Sequence, residues 1–214
     1  MNYTLICDGP TDANLIPIID WALTNSGGEH VANGMRADFW RLPAPPSSLE
    51  DRVVSAIQLF PCQALFIHRD AEREPPANRI AEIRRALEGA SARGTRLPAV
   101  AVIPVRMLEA WLLFNEAAIR HAAGNPNGRV PLGLPHAREI EQLPDPKENL
   151  KTALRTASEL HGRRLKKFST QDAFWRLTDF LDDFSPLRAH AAFRSFERSL
   201  SEAAAANWAP DFYS

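Results

Sequence analysis

Asp8 and Asp12 stand four residues apart in Cys7–Asp8–Gly9–Pro10–Thr11–Asp12, and Asp70 and Glu72 follow the apolar run Ala64–Leu65–Phe66–Ile67–His68. Glu109 adds a further carboxylate behind a third apolar run, Ala99–Val100–Ala101–Val102–Ile103. Carboxylates crowded at one point repel each other and rise in pKa unless a cation neutralises them. Oxygen ligands of this kind favour Mg2+ or Mn2+ over zinc. Such an ion acidifies the water it binds and clamps phosphate oxygens, which is the chemistry of phosphodiester hydrolysis. In Asp70–Ala71–Glu72 the two acids share a face provided the strand continues through them. A plainer reading stands beside this one. Acids at strand ends and helix N-termini also serve solubility and the helix dipole. Asp12 fits a first-turn helix acid, and Glu74 a solvated side chain.

The elements that must position these groups are legible as alternating patterns. Leu5–Ile6–Cys7 reads as a buried strand broken at Asp8–Gly9–Pro10, and Thr11–Asp12 opens a helix carrying Leu15, Ile16, Ile18, Ile19, Ala22 and Leu23. Gly9 permits a tight turn and Pro10 suits a helix start. Asp38–Phe39–Trp40–Arg41–Leu42 reads as a second strand, and Ser47, three residues before Glu50, as the cap of a helix bearing Val53, Val54 and Ile57. Ala64–His68 and Ala99–Ile103 are the third and fourth strands. Between them a helical period runs over 78–87, and an amphipathic helix follows over 105–113. Nearly all-apolar strands alternating with helices argue for an α/β fold with a mostly parallel four-stranded sheet covered on both faces. In such sheets ligands gather beyond the carboxyl ends of the strands, where these acids fall.

The expected organisation is an α/β core over residues 1–122, a loop rich in Pro, Gly and Asn over 123–149, and a helical extension over 150–214 that packs on the core. Helical stretches are expected over 150–160, 171–181 and 191–205. Trp111 and Trp175 fall at helical spacing among leucines and are expected in the core, whereas Trp40 and Trp208 give no pattern. The chain has 214 residues, 45% hydrophobic and 24% charged, with a formal net charge of −1. That balance excludes a globally basic nucleic-acid binder, so any such contact must be local. Cys7 and Cys62 lack metal-type spacing and read as reduced core residues. The opening Met1–Asn2–Tyr3–Thr4 leads into a strand without a leader, and no apolar run nears the ~20 residues of a membrane span, so a cytoplasmic protein is expected.

Asp8–Gly9–Pro10–Thr11–Asp12 resembles the acid–Gly–x–Thr/Ser–acid opening of Toprim-type domains, and Asp70–Ala71–Glu72 a variant of their Asp–x–Asp pair. Ile103–Pro104–Val105–Arg106–Met107–Leu108–Glu109–Ala110–Trp111–Leu112–Leu113 is similar to a segment of the DUF4276 proteins, a Toprim-like group. These occur among prokaryotic defence proteins, close to the Toprim nucleases of the overcoming-lysogenization-defect type. The resemblance covers roughly residues 3–115, with Asp145–Pro146–Lys147 beyond it. It implies a Toprim-like (Rossmann-like) core and a Mg2+- or Mn2+-dependent nuclease acting in antiviral defence. Asp8 would fill the customary glutamate position as metal ligand or general acid/base. Asp70 and Glu72 would bind the metal, with Asp12 joining that set, and Glu109 would ligate it or orient a water. Arg69, Arg73 and Arg106 would steady charge on phosphate. Asp8 is one methylene shorter than the usual glutamate, and Glu72 replaces an aspartate. These departures keep a second reading open, a non-catalytic subunit docking on an ATPase partner.

His161–Gly162–Arg163–Arg164–Leu165–Lys166–Lys167–Phe168 is the one concentrated basic run. It reads either as a solvated helix end or as a phosphate-tracking patch of Arg163, Arg164, Lys166 and Lys167, joined by Lys147 and Lys151. Phe168 would offer a stacking face. Other chemistries fail on spacing. His68–Arg69–Asp70 mimics a kinase catalytic loop, but Pro75 stands where its asparagine belongs, and no glycine-rich loop precedes it. Cys7 lacks the arginine of a phosphatase loop, and Pro10 breaks the haloacid-type nucleophile pair. No Gly–x4–Gly–Lys–Ser/Thr segment exists. DNA, RNA and a smaller phosphate ester all remain open as substrate, as does a homo-oligomeric state.

Overall fold

The computed structural model describes residues 1–25, 31–72, 74–105 and 107–213. Arg73 and Arg106 lie outside the described residues. The strands are β1 Asn2–Ile6, β2 Asn33–Arg36, β3 Ala64–His68 and β4 Ala99–Val102. The α-helices are α1 Leu15–Asn25, α2 Leu49–Leu59, α3 Pro76–Ala92, α4 Glu116–Ala122, α5 Pro146–Ser158, α6 Gly162–Lys167, α7 Thr170–Leu177 and α8 Ala191–Ala205. The chain forms two compact units, Met1–Ile103 with Arg194–Ser214, and Pro104–Phe193.

The first unit holds an all-parallel sheet of order β2-β1-β3-β4. Every residue of β3 is buried, as is β1 beyond Asn2, which is the mark of a sheet covered on both faces. The period of two sorts the side chains. Ile6, Leu65 and Ile67 join a cluster with Val53 and Val54 of α2 and Ile83 and Leu87 of α3. Tyr3 and Phe66 meet at a tilt on the opposite face, ring centroids 4.6 Å apart, and Phe66 meets Phe196 and Trp208 there. Tyr3 Oη donates to Asp20 Oδ1 of α1 at 2.9 Å. Phe212 and Tyr213 border β4 through Ala99, whose N–H donates to Phe212 O.

The second unit is helical. Trp111 is fully buried and meets Phe193 edge-on at 5.3 Å, while Ile119, Ile140, Leu150 and Leu154 fill the interior. Arg120, only 6% exposed, donates to Glu116 and to Val130 O and so anchors the 123–145 loop. Among the described residues, no helix is long and apolar enough to cross a membrane.

Several expectations need correction. The second strand is Asn33–Arg36, and Phe39–Arg41 is a 3-10 turn. A turn rather than a strand at this point buries Phe39 and leaves Trp40 exposed. Ser48, not Ser47, caps α2, accepting from Asp51 N at 3.0 Å. The first helix is preceded by a 3-10 turn, Pro10–Asn14. In place of the amphipathic helix expected over 105–113, the described residues 107–113 contain the 3-10 turn Leu108–Leu112, buried at every position except Glu109. Trp175 is 37% exposed rather than in the core.

Candidate functional site

β1 and β3 are neighbours in space, yet the chain leaves β1 toward β2 on one side and later enters β3 on the other. Such a reversal marks a switch point, and in open α/β sheets ligands bind in the crevice beyond the carboxyl ends of the strands there. Asp8, Gly9 and Asp12 follow β1, and His68, Arg69 and Asp70 close β3.

Here the strand period parts the acids. Ile6 pairs with Ile67 across the sheet, so two residues further on Asp8 falls opposite Arg69, on the α2/α3 face. The two side chains do meet. Arg69 Nη1 donates to Asp8 Oδ1 at 2.7 Å and Oδ2 at 2.5 Å, and Arg52 Nη1 from α2 donates to Oδ1 at 2.9 Å. The lattice continues along α3. Arg69 Nη2 reaches Glu82 at 2.8 Å, and Glu82 reaches Arg79 at 3.0 Å. Arg79 Nε donates to Asp70 O at 3.0 Å, with Nη2 4.0 Å from Glu72. Three guanidiniums thus stand against the carboxylates of Asp8, Glu82 and Glu72.

His68, one residue out of phase with Arg69, turns to the opposite face and is 2% exposed. Its Nδ1 lies 3.0 Å from Val102 O, which can only accept, so Nδ1 carries a proton. Nε2 then faces Asp70 Oδ1 at 3.4 Å and Asp12 Oδ2 at 4.0 Å. Asp12 is itself held by the N–H of Gly9, 2.9 Å from Oδ2. Two carboxylates from separate loops are thus directed at one imidazole nitrogen.

The sequence-derived acids therefore divide. Asp12 and Asp70 come together at His68, whereas Asp8 is committed to two guanidiniums. Glu72 does not share a face with Asp70, because β3 stops at His68 and Glu72 takes a left-handed backbone (φ 55°) with its side chain 67% exposed. Glu109 belongs to the second unit, where it lies 4.0 Å from Lys147. Arg163, Arg164, Lys166 and Lys167 occupy the exposed helix α6, and Phe168 follows as its C-cap, half-buried. Among the described residues, no three His, Cys, Asp or Glu side chains form a group that could hold a metal ion as they stand. His68 is the residue that sequence reasoning missed as a site residue. Its signal was its place beside Asp70 at the end of an apolar strand.

Cys7 lies next to Asp8, but burial, with Asp12 adding to it, pushes its thiol up to about 12, so it is no nucleophile near neutral pH. It is a free, buried cysteine, as is the half-buried Cys62 a free one.

Fold and site together define an α/β protein with a four-stranded, all-parallel open sheet flanked by helices and a charged crevice at its switch point. No protein-family model, no curated protein and no solved structure matches this chain.

Proposed function

We propose that this chain is a Toprim-like, divalent-metal-dependent hydrolase of nucleic-acid phosphodiester bonds, serving as an effector in prokaryotic defence. The observation that carries the reading is the approach of Asp12 and Asp70 to the buried His68 Nε2 at the switch point of the sheet. These side chains form no metal-holding group as they stand, so a bound Mn2+ or Mg2+ would have to draw Asp12, Asp70 and His68 Nε2 together. Two carboxylates stand beside an imidazole whose other nitrogen is tied to a main-chain carbonyl, the outer contact that orients a histidine ligand. A bound ion would supply charge stabilisation to the phosphate and acidify water. The remaining work belongs to the chain. Gly9 N–H orients Asp12, and Val102 O fixes the His68 ring. Asp8 and Glu82 hold Arg52, Arg69 and Arg79 in a row along the crevice, where guanidiniums suit phosphate. Defence as the setting rests on the resemblance of the 8–12, 70–72 and 103–113 segments.

Labelled DNA and RNA incubated with Mn2+ or Mg2+ should be cleaved, with activity lost in EDTA. Asp70→Asn should lower the rate about a hundredfold or more. Cleavage indifferent to metal or to Asp70 would sink this reading. The pairing of both Asp8 oxygens with arginines supports a second one, a non-catalytic Toprim-like module that docks on an ATPase partner. Calorimetry separates the two, because the module would take up no Mn2+ through Asp12 and Asp70.

A further inference from the structure

Beside the crevice, on the β2 side of β1, lies a small depression bordered by Asp8, Arg36, Trp40, Pro45, Pro46 and Arg52. Its enclosed space is only about 30 Å³, on the scale of water, so it holds nothing by enclosure. What it offers is surface chemistry. Trp40 is 71% exposed, on a turn that follows β2 at the same carboxyl edge as Asp8. The neighbouring Phe39 is 6% exposed and packs edge-on against Phe60 at 5.9 Å, which anchors the turn. An indole held out on an anchored turn loses little freedom when a flat group stacks on it.

Two guanidiniums border the same depression. Arg36 closes β2 and lies 3.4 Å from Asp38, and Arg52 reaches in from α2 to Asp8. Arg52 therefore belongs to both the crevice and the depression. A flat aromatic face beside paired cations matches one ligand chemistry well. An unpaired base stacks on the ring while its phosphate meets guanidinium. A base within a duplex cannot present its face in this way. We infer that Trp40, with Arg36 and Arg52, forms a subsite for one nucleotide of a single strand adjoining the scissile position. This deepens the proposed hydrolase and rests on it for the substrate class. The subsite reads strandedness rather than sequence, because every base has a face to stack.

The test is equilibrium binding of the full chain to a labelled, unpaired oligodeoxynucleotide of about ten residues, in EDTA so that no cleavage intervenes. The native chain should bind the single strand more tightly than the same sequence as a duplex. Trp40→Ala should weaken single-strand binding about tenfold, and Trp40→Phe, which keeps an aromatic face, should restore most of it. Equal binding by the native chain and Trp40→Ala overturns the subsite, as does no binding by the native chain, and cleavage in Mn2+ in either case leaves the hydrolase standing. Conversely, Trp40-dependent binding without metal-dependent cleavage keeps the nucleotide subsite and removes the hydrolase.

Discussion

At the scale of single residues, His68 organises the crevice, because its ring is buried deeply enough to be fixed. Its ring satisfies Val102 O inside the sheet and turns Nε2 toward Asp70 and Asp12. His68→Leu fills similar space but removes one of the two donors to Val102 O, which keeps the N–H of Arg69 at 3.3 Å, and sets two carboxylates against an apolar group. Losing one such hydrogen bond costs about 0.5–1.5 kcal/mol. The urea midpoint should fall accordingly, and an unchanged midpoint would mean that the ring holds nothing in place. The acids themselves were legible in the sequence, because acids placed just after apolar strands stand out. Their pairing was not. Whether Asp8 meets Asp70 or Arg69 depends on the register of β1 on β3, and on Arg52 arriving from a helix far along the chain. His68 was hidden for a related reason, since only the fold turns it toward Asp12.

At the scale of elements, β1, β3 and β4 were visible because buried parallel strands read as unbroken apolar runs. β2 was not, because Asn33–Gly34–Met35–Arg36 is a half-exposed edge strand, while Phe39–Trp40 nearby has more strand-like composition. What fixes β2 on β1 is Gly34. A Cβ there would sit 2.2 Å from Cζ of the buried Tyr3 ring, whose hydroxyl is already bound to Asp20 and Ile16 O. A Cβ at Gly89 in α3 would also sit 2.2 Å from a neighbour, but that neighbour is the carboxylate of Glu50, a flexible end 41% exposed. The same distance thus predicts opposite signs. Gly34→Ala should destabilise by about 1–3 kcal/mol through overpacking. Gly89→Ala should be neutral or stabilise by up to about 1 kcal/mol, because alanine costs less backbone entropy in a helix. Chemical denaturation of the two variants checks the contrast, and equal losses would refute it.

At the scale of the whole molecule, each unit carries carboxylates whose folded form prefers to stay charged. Asp51 in the sheet unit is held below its usual range by Ser48 and Arg93. In the helical unit Glu159 is held down by the N–H groups of Val130 and Arg129, and Asp183 by Ser185. A carboxylate with a depressed folded pKa stabilises fully above its unfolded value. That contribution disappears as pH falls through the folded value. The unfolded values are 3.8 for aspartate and 4.5 for glutamate, so the loss begins just below pH 5 and deepens toward pH 3 and lower. Glu159 matters most for the loop, because its Oε1 accepts from both Arg129 N and Val130 N and lies 3.8 Å from Arg120 Nη1. Glu159→Gln keeps an acceptor for those N–H groups but cannot titrate. Urea midpoints measured from pH 7 to pH 3 should therefore fall less steeply for Glu159→Gln than for the native chain, with the two curves drawing together at the acid end. Parallel curves over the whole range would show that the charge of Glu159 does not hold the loop to α5.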